Sequence, residues 1–77
     1  MFGVEQTKQI LADLETIKEA GNICYRNKEF DHALAHYHNC IVKLAKVHEY
    51  FPKDYKTKLD VILLGCEFNS ARVYLNE

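Results

Sequence analysis

A glycine in the middle of a helical pattern constrains this chain more than any other residue. Apolar or small residues recur at Ile10, Leu14, Ile17, Gly21 and Cys24, three and four apart, and Leu11 and Ala20 widen the stripe. Lys8, Asp13, Glu15, Lys18, Glu19 and Asn22 fall on the opposite face. Glycine costs roughly 1 kcal/mol inside a helix, so Gly21 at mid-pattern predicts that a second helix crosses closely there. The pattern breaks at Asn27-Lys28-Glu29 and resumes at Phe30, with Ala33 as the small residue beyond the break. The stretch Lys18–Tyr37 therefore reads as a hairpin of two helices. The first runs from about Val4 to Arg26, and Asn27 is its left-handed stop, a conformation asparagine tolerates. The second runs from about Phe30 to Tyr50 and turns Phe30, Ala33, Leu34, Tyr37, Cys40, Ile41, Leu44 and Val47 inward.

Pro52 forces a boundary, because the residue before a proline resists helical geometry. Asp54 is the expected N-cap of a third helix reaching about Leu75. Its inward stripe is Leu59, Ile62, Leu63, Cys66, Ala71 and Tyr74, yet Val61, Leu64, Phe68, Val73 and Leu75 make other faces apolar too. A helix that is apolar on more than one face expects neighbours on more than one side. The first two helices cover only one, so the third helix is expected to self-associate or to pack on another chain.

At 77 residues the chain is one small domain. Its 48% hydrophobic content suffices for a core, and one Pro with three Gly favours helix over a turn-rich β fold. A formal net charge of −1 gives no electrostatic case for nucleic acid or a membrane surface. Three cysteines without framework spacing fit a reducing, cytoplasmic setting. The first residues show neither the basic start nor the long apolar run of a signal peptide. The apolar run Val61–Leu64 is far too short to span a bilayer.

Residues from about Leu14 to Val47 resemble a tetratricopeptide repeat, a unit of about 34 residues made of two antiparallel helices. Gly21, Phe30, Ala33, Tyr37 and Cys40 stand at the small and aromatic positions of that pattern. Cys24 replaces the first aromatic, Ile17 the usual tryptophan, and Ala45 the closing proline. Phe68–Leu75 is similar to the first helix of a second repeat, with Ala71 in its small position and Tyr74 as its aromatic. The long connection from Val47 to about Leu64 resembles those of immunophilin-type co-chaperones. The resemblance implies an all-α fold in one domain over 1–77. One repeat lies at about 14–47, and the extended first helix of an incomplete second at about 54–77.

It also implies a function: a protein-interaction module, a scaffold or co-chaperone that recognises an extended peptide or an acidic chaperone tail. In co-chaperone members a lysine and two asparagines line a concave groove and hold the terminal carboxylate of a tail ending in Glu-Glu-Val-Asp. The matching residues are Lys18, Asn22 and Asn69. Lys18 and Asn22 share a helix face, and an ammonium with two amides on a carboxylate makes charge-assisted hydrogen bonds. The family's further lysine and arginine belong to a third repeat, which has no counterpart here. Against this stands a plainer account, in which Lys18 is solvated and the two asparagines satisfy backbone or each other.

His32 and His36 share a face, with His38 and Cys40 beyond, but no carboxylate or paired-cysteine spacing makes them metal ligands. Cys24 and Cys40 are expected to face each other across the hairpin as buried thiols. Nothing pairs Cys24 or Cys66 with an oriented base. The chain reads as a binding protein with no catalytic residue, metal or cofactor. The other reading is a structural subunit whose third helix completes a fold by oligomerisation.

Overall fold

The computed structural model describes residues 1–76; Glu77, the last residue of the single domain expected over 1–77, lies outside the described residues. The chain is all helical: α1 (Val4–Arg26), α2 (Phe30–Val47), a short 3-10 turn (His48–Tyr50) and α3 (Lys53–Asn76). Among the described residues no helix is long and apolar enough to cross a membrane.

The hairpin forms where the pattern breaks, but the stop residue is Lys28 rather than Asn27. Lys28 has φ 62°, whereas Asn27 stays at φ −87°. The reason is the hydrogen-bond closure. Lys28 N–H donates to Tyr25 O at 3.0 Å and Glu29 N–H to Cys24 O at 2.9 Å, the paired bonds of a Schellman ending. That geometry puts the left-handed residue one position past the cap. Two further boundaries shift. The second helix ends at Val47 and tightens into the 3-10 turn, and α3 begins at Lys53, so Asp54 is a first-turn residue instead of a cap.

The helices run antiparallel within the hairpin. Leu14 faces Cys40, whose thiol donates to the Leu14 carbonyl at 3.5 Å. Gly21 faces the ring of Tyr37, and Tyr25 meets Phe30 edge-on at 5.8 Å. The close approach predicted for Gly21 is thus made to Tyr37, one turn beyond Ala33, which is itself fully buried. The same register overturns the expected pairing of Cys24 with Cys40. Cys24 lies level with the start of α2, and Cys40 meets Cys66 of α3 instead. Their shared hydrogen bond and burial push the Cys66 thiol well above its ordinary range. The cysteines are free.

The core is built from Leu14, Ala33, Tyr37, Cys40, Leu44, Phe51, Leu59, Ile62, Cys66 and Val73. Ile10, Ile17, Cys24, Phe30, Leu34, Ile41, Val47 and Leu63 pack against it, half-buried. At the end of α3 the inward residue is Val73, while Ala71 and Tyr74 are exposed. Leu59, Ile62, Cys66 and Val73 stay in phase at 3.6 residues per turn, and Ala71 and Tyr74 fall off that stripe. Phe51 has no helix to belong to, yet it is fully buried. Phe2 closes over it, edge to ring at 6.0 Å, and donates its N–H to Tyr50 O at 2.9 Å. Thr7, the buried polar residue, is satisfied by donating its hydroxyl to Gly3 O at 2.7 Å.

Candidate functional site

With α2 antiparallel to both neighbours, α1 and α3 run in the same direction and share a seam. One constant offset describes it. Asn69 lies 47 positions after Asn22, and their side chains bond. The same step carries Lys18 to Gly65 and Tyr25 to Arg72, which also meet. Successive turns of two parallel helices therefore stack level by level.

At the first level Lys18 lies across α3. A Cβ built on Gly65 stands 3.5 Å from its Cδ and 3.6 Å from its Nζ, so the glycine leaves room for the lysine stem. The ammonium is 3.5 Å from Glu15, and its side chain is 22% exposed. At the second level the Asn22 carbonyl oxygen accepts the Tyr37 hydroxyl at 2.6 Å and the Asn69 amide at 2.9 Å. Its own amide donates to Glu19 at 3.2 Å. Burial raises the Tyr37 phenol above its usual value, so the hydroxyl stays protonated and keeps donating. Each asparagine amide carries two N–H groups, so one N–H on each remains after these bonds.

The third level was not anticipated. Arg72 stacks its guanidinium over Tyr25 at 5.0 Å, and the Tyr25 hydroxyl accepts from Asn76 at 2.8 Å. Arg26 bonds Glu19 at 3.2 Å. The Asn22 hydrogen bond first, and Arg26 second, hold the Glu19 carboxyl below its ordinary range. Asn22, Tyr25, Arg26, Tyr37, Asn69 and Arg72 line one cleft of about 300 Å³.

No family model, curated protein or solved structure matches this chain. Its own geometry is therefore what bears on function.

The three residues singled out from the sequence are treated unequally. Asn22 and Asn69 are brought into contact, as the plainer account also allows, and both open onto the cleft. Lys18 lies one turn further down the same seam, outside the cleft lining. Tyr25, Arg26, Tyr37 and Arg72 were missed as site residues. A signal existed for the arginines: Arg26 is one turn past Asn22 and Arg72 one turn past Asn69, so each extends the asparagine face. Chemically, the seam offers amide N–H donors between cations, Lys18 at one end and Arg26 with Arg72 at the other. Glu15 and Glu19 partly offset them. Such exposed ion pairs contribute only about 0–1 kcal/mol, so an incoming carboxylate can replace Glu15 or Glu19 at small cost. Among the described residues no three His, Cys, Asp or Glu side chains converge as a metal site.

Proposed function

We propose that this chain is a peptide-binding module of the tetratricopeptide type, and that the α1–α3 seam recognises an extended acidic peptide by its terminal carboxylate. One observation carries this reading: Asn22 and Asn69, distant in sequence, present their amides side by side between Lys18 and the two arginines. The Tyr37 hydroxyl locks the Asn22 amide in orientation, which reduces the entropy a ligand must remove on binding. Lys18 provides the ammonium and the two asparagines the neutral donors. A chaperone tail ending in Glu-Glu-Val-Asp fits that chemistry.

The test is titration with that peptide in two forms, free acid and C-terminal amide. The free acid is expected to bind with modest affinity and the amide roughly tenfold more weakly, the loss of a charge-assisted hydrogen bond. Lys18→Ala and raised salt each weaken the free acid towards the amide. Equal binding of the two forms removes the carboxylate role.

A second reading rests on α3. Val61, Leu64, Phe68 and Leu75 are 61%, 65%, 66% and 85% exposed, and they point away from the buried Leu59, Ile62, Cys66 and Val73. Val61, Leu64 and Phe68 are three and four apart, and the exposed Ala71 carries the same spacing on to Leu75, which makes a stripe along the outer face. On this reading the stripe pairs two copies of the chain, with or without a peptide in the seam.

A further inference from the structure

The third level of the seam is a place to hold a second negative charge. Arg26 and Arg72 come from different helices and line the same cleft, together with Asn69. Each guanidinium is held from behind: Arg72 lies on the face of Tyr25, which Phe30 and Asn76 fix in turn, and Arg26 is tethered by Glu19. Among the described residues no carboxylate is paired with Arg72. A guanidinium stacked on an aromatic ring still directs its N–H edge outward, where it matches a carboxylate.

We infer that this cleft is a second anion subsite, which takes the side-chain carboxylate of an aspartate or glutamate lying upstream of the peptide's terminal carboxylate. The inference rests on the terminal group binding near Lys18. Spacing then follows from helix geometry. At 1.5 Å per residue, Lys18 and Arg26 are about 12 Å apart along α1, and Gly65 and Arg72 about 10 Å apart along α3. An extended peptide advances 3.3–3.6 Å per residue, so the second acid stands about three or four residues before the terminal one. The seam thereby selects a class of ligand, a peptide with two negative groups at that separation. It also sets polarity: the peptide runs with its C-terminus toward Lys18.

The experiment uses the whole chain and three acetylated alanine-glycine octapeptides with free C-termini. One carries a glutamate three residues before the terminal residue, one a glutamine there, and one a glutamate directly before the terminal residue. The first is expected to bind roughly tenfold more tightly than the other two. Arg72→Gln should abolish that advantage, and Arg26→Gln should reduce it. Circular dichroism melts of both variants check that the fold persists, which is the expected result. Arg72→Lys serves as a second variant that keeps the charge but loses the planar fork, and it should recover only part of the advantage. Equal affinity for the three peptides overturns the second subsite but leaves terminal carboxylate recognition standing. Loss of affinity for all three peptides in Arg72→Gln also overturns it, because Arg72 would then act on the terminal group. No binding of any free-acid peptide to the unmodified chain overturns both.

Discussion

Gly21→Leu is expected to lower the melting temperature by about 5–20 °C. A Cβ at Gly21 stands 2.6 Å from Tyr37 Cε1 and 2.9 Å from Cδ1, closer than packed carbons approach. The ring cannot retreat cheaply, because its hydroxyl is bonded to Asn22 at 2.6 Å and the residue is buried. Overpacking of this kind costs roughly 1–3 kcal/mol, and each kcal/mol moves the midpoint of a domain this size by about 4–8 °C. Alanine makes a sharper test. In a helix interior Gly→Ala normally stabilises by about 1 kcal/mol, but here the added methyl meets the ring, so Gly21→Ala should destabilise. With Tyr37→Leu already in place the same Gly21→Ala change should stabilise. A melt unaffected by Gly21→Leu would mean that α1 and α2 do not cross at this point.

The second large effect belongs to the outer face of α3. Leu64→Glu is expected to convert a concentration-dependent assembly into a monomer in sedimentation, with a dissociation constant raised by about a hundredfold or more. Each large apolar side chain left wet forgoes about 1.5–3 kcal/mol, and total domain stability is only about 5–15 kcal/mol. Covering the stripe therefore adds materially to the folded state. Leu64 is outside the core, so the variant should keep its helical content. Its melting temperature should fall only to that of the dissociated wild type and lose its dependence on concentration. If the wild type sediments as a monomer at high concentration and Leu64→Glu melts with it, the stripe does not pair two copies.

The three helices were legible because their signals are local. A stripe at three and four, a break at Asn27–Glu29 and a proline at 52 each act within a few residues. Gly21 was legible as a crossing for the same reason. What failed needed the closing hydrogen bonds, the phase of a whole helix or the packing between elements. Lys28 takes the left-handed position because the Schellman bonds dictate it, against asparagine's preference. Phe51 reads as a linker residue, yet it joins the core, with Phe2 closing over it edge to ring. Val73 replaces Ala71 and Tyr74 because α3 keeps one phase along its whole length. In the seam, Asn22 and Asn69 were reached through a family pattern. Arg26 and Arg72 extend the asparagine faces by one turn each, but the stacking of Arg72 on Tyr25 depends on the level-by-level register of α1 with α3, which no short window of sequence encodes.

The central claim is that the α1–α3 seam is where a peptide binds, and backbone and side-chain amide resonances report it directly. Nitrogen-labelled protein is titrated with the free-acid Glu-Glu-Val-Asp peptide. The largest shifts are expected at the Asn22 and Asn69 side-chain amides and the Lys18 backbone, with only weak shifts from the amidated peptide. Shifts confined to Val61, Leu64 and Phe68 on the outer face, or none at any concentration, would contradict it.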